Sequence, residues 1–151
     1  MISSRFPIFI RCCWFGLNHL FRDRISGLSL TTVQYTVLRT IHNSRSKKLN
    51  QRAIANSIAT NKNNLSSIIK RLEEMKYIKI VVNPKDKRES QIVLCPRGNS
   101  IFLESKKIAT ELQVHVMKDF NQHEIKSLTN YLARVNVGMS IALSKIRNNS
   151  D

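Results

Sequence analysis

The chain has 151 residues, enough for one domain with one hydrophobic core. Lysine and arginine number 25 against 10 acidic residues, which gives a formal charge of +15 at pH 7. That excess favours a polyanionic partner, either nucleic acid or an anionic membrane surface, and a hydrophobic content of 42% excludes wholesale disorder.

The cysteines and the N-terminus indicate a cytoplasmic protein without a membrane partner. Cys12, Cys13 and Cys95 are an odd number without metal-ligand spacing, and two adjacent cysteines are badly placed to bridge each other. A reducing compartment fits them best. Arg11 interrupts the apolar run that follows Arg5, no small-residue cleavage site comes after it, and no stretch approaches the length of a transmembrane helix.

Helical periodicity dominates the first part of the chain. Residues 6–25 place apolar side chains on one broad face, and residues 27–29 break the pattern. A second helix follows, with Thr31 or Thr32 as its N-cap. The polar and basic segment 43–48 is predicted to be a loop.

Residues 49–95 carry the most informative pattern of the chain. Asn50 starts a short helix, and residues 61–75 form a second one, with an apolar stripe opposite an uncharged-to-basic face. Two strands, Ile78–Val82 and Gln91–Leu94, then flank a basic tip. We therefore predict a mainly α-helical fold with a small β-hairpin wing, a winged helix-turn-helix that places one helix in a DNA groove.

The remainder of the chain is predicted to be helical. Pro96-Arg97-Gly98 indicates a turn into a long helix over about residues 99–118. Asn121 and Glu124 have the spacing of a capping box and start the final helix. The side chains of the final helix predicted to face inward are Ile125, Leu128, Leu132, Val135, Met139, Leu143 and Ile146.

The first and last helices have more apolar surface than a compact winged helix needs. We expect residues 6–25 and 99–147 to be dimerisation helices that pack against a second copy of the chain. The alternative is that they fold back on their own wing domain.

The order and spacing of these segments resemble the MarR (multiple antibiotic resistance regulator) family of dimeric bacterial winged-helix transcription factors. The resemblance extends over almost the whole chain. It is carried by Leu30-Thr-Thr-Val-Gln-Tyr-Thr-Val-Leu38, Leu49–Ala55, the helix Asn61–Glu74, the wing Asn83–Arg88 and Leu94-Cys-Pro-Arg-Gly98.

The resemblance implies a single MarR-type domain over residues 1–151, with a DNA-binding lobe at residues 30–95. It implies a homodimeric, sequence-specific transcriptional regulator, with repression expected, that reads a pseudo-palindromic operator in double-stranded DNA. The recognition helix 61–75 would lie in the major groove and the wing 83–90 in the minor groove.

Two departures from the family pattern bear on local structure. Lys76 stands where the family usually has the glycine that ends the recognition helix. We therefore expect either a strained C-cap at Lys76 or its neighbour, or a helix that ends differently. Cys95 replaces a common threonine N-cap.

The polar face of the recognition helix supplies the candidate base contacts. Asn63 has the geometry for a bidentate pair with adenine, and Lys62 can donate to guanine. The serines would reach bases or phosphates, and the remaining polar residues the DNA backbone. The predicted contacts on this helix are Lys62, Asn63, Asn64, Ser66, Ser67 and Lys70. The alternative is a merely solvated polar face.

The wing supplies positive charge at the hairpin tip through Lys85, Lys87 and Arg88. The resemblance implies that Arg88 enters the minor groove, where A·T-rich sequence strengthens the negative potential. It also implies that Asp86 holds this arginine in position.

The resemblance implies an effector site as well. Family members bind small aromatic or anionic effectors in a crevice between the dimer helices and the wing domain, which here would be lined by Trp14, Leu17, Tyr35 and Leu38. Apolar residues at such positions are, alternatively, core. Some family members sense oxidants through a cysteine on the first helix, so Cys12 and Cys13 are candidates, against the alternative that both are small core residues.

No chemistry beyond binding is indicated. The four histidines show no ligand pair at helical spacing, and the chain has neither a glycine-rich phosphate loop nor paired catalytic carboxylates. We therefore predict no metal, no cofactor and no enzymatic activity. Two other functions remain open: an architectural protein that coats DNA without a defined operator, which the high charge supports, and a partner-binding module that has lost its operator.

Overall fold

The computed structural model describes residues 5–44, 49–58, 62–82 and 90–148. These residues are mainly helical with one two-stranded antiparallel hairpin, which confirms the predicted fold class. The chain separates into two compact units, Met1–Leu112 and Gln113–Asp151. The elements of the described residues are α1 (Phe6–Ile25), a 3-10 turn (Ser26–Leu28), α2 (Thr32–Asn43), α3 (Gln51–Ser57), α4 (Lys62–Glu74), β1 (Ile78–Val81), β2 (Gln91–Leu94), α5 (Pro96–Val116) and α6 (Gln122–Asn148).

The start of α2 is fixed by a reciprocal pair of hydrogen bonds. The backbone N–H of Gln34 donates to Thr31 Oγ1 at 3.2 Å, and the backbone N–H of Thr31 donates to Gln34 Oε1 at 2.9 Å. This capping box satisfies two backbone donors at the helix start. Of the two threonines predicted as N-cap, Thr31 therefore has that role.

The core of the first unit joins the helix-turn-helix to α2, the hairpin and α5. Apolar side chains spaced by three and four on α2 and α4 point into it, as the periodicity predicts. The side chains at its centre, each less than 2% exposed, are Ile25, Val37, Leu38, Ile54, Leu65, Leu72, Ile78 and Phe102.

The hairpin is tied to the helix-turn-helix through its second strand. Ile78 pairs with Leu94 and Val81 with Gln91, and β1 ends one residue earlier than predicted. On the other side of β2, the backbone N–H of Ile92 donates to the carbonyl of Leu49 at 2.9 Å. The segment just before α3 is thereby held against the hairpin.

The structure corrects the prediction that Pro96-Arg97-Gly98 forms a turn. These residues are the first turn of α5, which therefore begins three residues earlier than predicted and ends at Val116. Proline is tolerated there because the first helical N–H has no partner within the helix. A Cβ atom on Gly98 would lie 1.8 Å from the carbonyl oxygen of Tyr77, so glycine lets α5 approach the end of the α4–β1 connection.

Of the alternatives that the family resemblance left open for the end of α4, the structure has the strained C-cap at Lys76. Lys76 has a φ of 59°, in the left-handed region that glycine adopts without penalty. The N–H of Tyr77 donates to Leu72 O at 2.9 Å, and the N–H of Lys76 donates to Glu73 O at 2.8 Å. This pair of bonds is a Schellman motif, which ends α4 and turns the chain into β1.

In the second unit, the predicted capping box of α6 is confirmed. Glu124 N donates to Asn121 Oδ1 at 3.0 Å, and Asn121 N donates to Glu124 Oε2 at 2.8 Å. The prediction for the apolar face of α6 holds only in part, because Ile125, Leu128 and Val135 are half-buried. At the other four positions of that face, the side chains are exposed in a single chain. The exposed residues are Leu132, Met139, Leu143 and Ile146.

Candidate nucleic-acid interface

One face of α4 packs in the hydrophobic core, and its opposite, polar face is exposed. Leu65 and Leu72 are fully buried and Ile69 is nearly so. Because residues three and four apart share one side of a helix, burial of these positions turns the side chains between them outward. The exposed polar residues of the N-terminal half are Asn63, Asn64, Ser66 and Ser67.

Hydrogen bonds order two of these side chains. Ser66 Oγ accepts from the side-chain amide of Gln51, the first residue of α3, so that the two helices are bridged beside the polar face. Ser67 Oγ donates to the carbonyl of Asn63 within α4 at 3.4 Å. The structure thus brings the predicted site residues Asn63, Asn64, Ser66 and Ser67 together on the exposed part of α4.

Charge is distributed unevenly along α4. Its last turns carry Glu73 and Glu74, whereas residues 62–72 contain no acidic side chain. Lys70 lies 4.0 Å from Glu74, with the two side chains 79% and 62% exposed, so the pair contributes little to stability. The N-terminal half, which also carries the positive end of the helix dipole, is therefore the part of α4 best suited to a polyanion.

Several predicted contacts lie outside the described residues. Lys85, Asp86, Lys87 and Arg88 belong to the wing segment 83–89, which the structure does not describe. Lys62 begins α4, but its side chain is likewise outside the description. The roles assigned to these residues stay predictions.

Sequence reasoning missed one residue that contacts this surface, Gln51, and two cations elsewhere on the winged domain, Lys79 and Arg97. Gln51 contacts Ser66, as given above, and its only sequence signal is its place directly after the N-cap Asn50. Lys79 is exposed on β1. The guanidinium carbon of Arg97 lies 5.5 Å from the centre of the Tyr77 ring, a cation–π contact between α5 and the base of the hairpin.

The four residues predicted to line an effector site fall into two groups. Trp14 and Leu17 are exposed on α1, at 60% and 44%, whereas Leu38 is fully buried in the core and Tyr35 nearly so. The Tyr35 ring packs edge-on against Phe21, at 4.8 Å between ring centres. An effector site at these residues stays a prediction.

Tyr35 has an altered acidity because of where it lies. Burial raises its pKa above the usual 10.0, and the positive charge of Arg39 opposes this in part. The phenol is therefore neutral around neutral pH, and its ring serves as part of the packing between helices.

The cysteines are free thiols. Cys12 and Cys13 are exposed on α1 and Cys95 is half-buried. The alternative that Cys12 and Cys13 are small core residues is therefore wrong for a single protomer, because α1 points both outward. Oxidant sensing by them stays a prediction.

Two further observations concern the described part of the chain. Within it, no three histidine, cysteine or acidic side chains come close enough to hold a metal ion. None of its helices combines the length and the apolar character that crossing a membrane requires.

Comparisons with known proteins agree with this architecture. A sequence model described as the MarR family matches residues 30–90. The HTH-type transcriptional regulator SarZ of Staphylococcus aureus is 30% identical over 120 residues, which cover 76% of this chain and 77% of SarZ. This identity and coverage show that SarZ and this chain belong to the same family.

Solved structures show the same fold at lower identity. The Staphylococcus aureus MepR–DNA complex superposes with a TM-score of 0.80 at 16% identity and covers 91% of this chain and 99% of MepR. A mutant MarR from E. coli complexed with operator DNA gives a TM-score of 0.77 at 19% identity and covers 87% of this chain and 94% of that one.

Proposed function

Because the chain belongs to the MarR family, we propose that it regulates transcription by binding a specific DNA sequence as a homodimer. Its relative SarZ is named an HTH-type transcriptional regulator, and two proteins of the same fold have been solved with DNA. In this proposal the protein acts in the cytoplasm, as a repressor and not as an enzyme.

The observation that carries the proposal is the exposed polar face of α4 on a helix anchored in the core. A recognition helix must be rigid, so that its side chains meet base edges at fixed positions. Burial of Leu65, Ile69 and Leu72 supplies that rigidity. The face itself offers Asn63 for a bidentate contact with adenine and two serine hydroxyls, chemistry that distinguishes bases.

Charge supports the same proposal. The chain carries a formal charge of +15, and Lys85, Lys87 and Arg88 add three cations to the segment that would reach the flanking minor groove. Cationic contacts to phosphates give affinity without sequence preference, and their number sets how steeply affinity falls with salt.

Exposed apolar surface on each of two helices supports the homodimer. On α1, Phe6, Phe9 and Trp14 are between 42% and 61% exposed. On α6, Leu143 and Ile146 are 58% and 63% exposed. Apolar surface of this extent on a water-exposed helix favours a protein partner, and a two-fold dimer would present two recognition helices to a symmetric DNA site.

The direct test of the α4 assignment is a pair of asparagine substitutions. On a duplex that carries the operator, Asn63→Ala should lower affinity by about fivefold to 150-fold, because a bidentate base contact contributes about 1–3 kcal/mol of discrimination. Asn130→Ala, at an exposed position of α6, is the matched control and should bind as the wild type does. Fluorescence anisotropy measures both, and equal affinities would contradict the assignment of α4 as the base-reading helix.

An architectural, sequence-independent DNA coat is the second candidate, and the charge of +15 is the observation that favours it. In that case, Asn63→Ala would bind every duplex as the wild type does, and affinity would depend on salt alone. The uncharged side chains between Asn63 and Ser67 favour base reading, because phosphate binding alone is better served by lysine and arginine.

A further inference from the structure

A hydrogen bond between the two helices of the helix-turn-helix reaches the proposed base-reading face. Its donor is the side-chain amide of Gln51 and its acceptor is the hydroxyl oxygen of Ser66. Gln51 is the first residue of α3, directly after Asn50, whose Oδ1 accepts from the backbone N–H of Ala53 at 2.9 Å. The helix cap therefore fixes the backbone from which the amide of Gln51 extends.

We propose that Gln51 is a positioning residue that sets the base preference contributed by Ser66, an inference that rests on the proposed function. A serine hydroxyl on an exposed helix face can adopt more than one rotamer. The bond from Gln51 favours the rotamer that directs the oxygen toward α3 and occupies one of its acceptor sites. A base edge in the groove then meets a hydroxyl of defined orientation.

The bridge is suited to orientation more than to stability. Ser66 is exposed and Gln51 only half-buried, so that in the free protein water competes for both groups. A duplex that covers α4 removes this water, and the same hydrogen bond becomes stronger in drier surroundings. Gln51 and Ser66 should therefore act as one unit in the complex and contribute little to the stability of the free protein.

The closing experiment combines single and double variants. Gln51→Met keeps the length of the side chain and removes its hydrogen bond, Ser66→Ala removes the acceptor, and a third protein carries both changes. Gln122→Met is the matched control, since Gln122 is also the first residue of a helix, α6, after an asparagine cap. Selection from a randomised duplex library gives the motif of each protein, and anisotropy gives affinities for the wild-type operator and for a random duplex.

The expected outcome has three parts. Each single variant loses about threefold to tenfold in operator affinity, the range of one neutral hydrogen bond, and the double variant loses no more than the weaker-binding single variant. Both single variants relax base preference at the same symmetric pair of motif positions. Affinity for random duplex stays unchanged, because no charge is altered, and Gln122→Met behaves as the wild type.

Other outcomes overturn the inference. Losses of Gln51→Met and Ser66→Ala that add in the double variant, or relaxed preference at different motif positions, would mean that the two residues act separately. If Gln51→Met selected the same DNA motif as the wild type, Gln51 would have no role in base reading. A wild-type protein that selects no motif would instead contradict the proposed function, and this inference with it.

Discussion

Replacing Gly98 by alanine tests how α5 is docked on the winged domain. The added Cβ would lie 1.8 Å from Tyr77 O and 2.6 Å from its carbonyl carbon, both backbone atoms that no side-chain rotation can move. Ordinary van der Waals contact begins near 3.4 Å, so the first turn of α5 must retreat by about 1.6 Å. A shift of this size breaks the hydrogen bond from Cys95 N to Tyr77 O, which is 2.9 Å long.

The cost follows from these displacements. Loss of the hydrogen bond contributes about 1 kcal/mol, and disturbed packing contributes about 2 kcal/mol. The higher helix propensity of alanine compared with glycine stabilises the folded state by about 1 kcal/mol. The free energy of unfolding should therefore fall by about 2 kcal/mol, or roughly 4–8 °C in Tm for a chain of this length.

Thermal unfolding followed by circular dichroism measures this change. Gly27→Ala is the matched control, because a Cβ at Gly27 would meet no atom within 4 Å, and it should unfold close to the wild type. A Gly98→Ala protein as stable as the wild type would refute the argument that the close approach to Tyr77 requires glycine.

Three further predictions concern stability and assembly. Lys76→Gly should raise the free energy of unfolding by about 1 kcal/mol in a urea titration, because glycine adopts the left-handed φ of 59° without strain. The control Lys79→Gly, within β1, should lower the free energy of unfolding. The opposite order of stabilities would contradict the assignment of Lys76 as the strained cap. Burial raises the pKa of Tyr35, so above about pH 10 the unfolded state releases the phenol proton while the native state keeps it. The wild type should therefore lose stability as pH rises above about 10, and Tyr35→Phe should lose less. Identical profiles of melting temperature against alkaline pH for the two proteins would exclude this contribution. Leu143→Glu should convert the dimer to monomer in sedimentation velocity because it buries a charge in the proposed interface, whereas Thr129→Glu should not; an unchanged dimer for Leu143→Glu would remove that part of α6 from the interface.

Local sequence chemistry predicts most helix and strand bounds. The first helix, the caps at Asn50 and Asn121 and the second strand are as predicted, and the cap of α2 is one of the two threonines proposed, because each depends on residues within a few positions of one another. Short-range signals are sufficient for these features. The strained cap at Lys76 was one of the outcomes inferred from the family resemblance, because the family usually has glycine there.

The errors arise where a distant contact decides the outcome. Pro96-Arg97-Gly98 has the composition of a turn, but Gly98 is required by the approach of α5 to Tyr77, which no local pattern reveals. The bond from Gln51 to Ser66 joins residues 15 apart across two helices, so that the polar face of α4 was predicted but its neighbour on α3 was not.

The apolar face of α6 shows a different limit of sequence reasoning. Periodicity identifies which side of a helix is apolar but does not say what covers it. Leu143 and Ile146 share the apolar side that the pattern predicts, yet both are exposed in one protomer. Whether such residues are core or interface depends on the assembly and cannot be decided from the spacing alone.

Selection of the wild-type protein on a randomised duplex library tests the central claim most directly. The selection is run at about 150 mM salt with nonspecific competitor, where phosphate contacts alone are weakened. The proposed function predicts enrichment of a two-fold symmetric motif whose half-sites lie about one helical turn apart. Broad binding without a motif, lost smoothly as salt rises, would contradict operator reading by α4 and favour an architectural role.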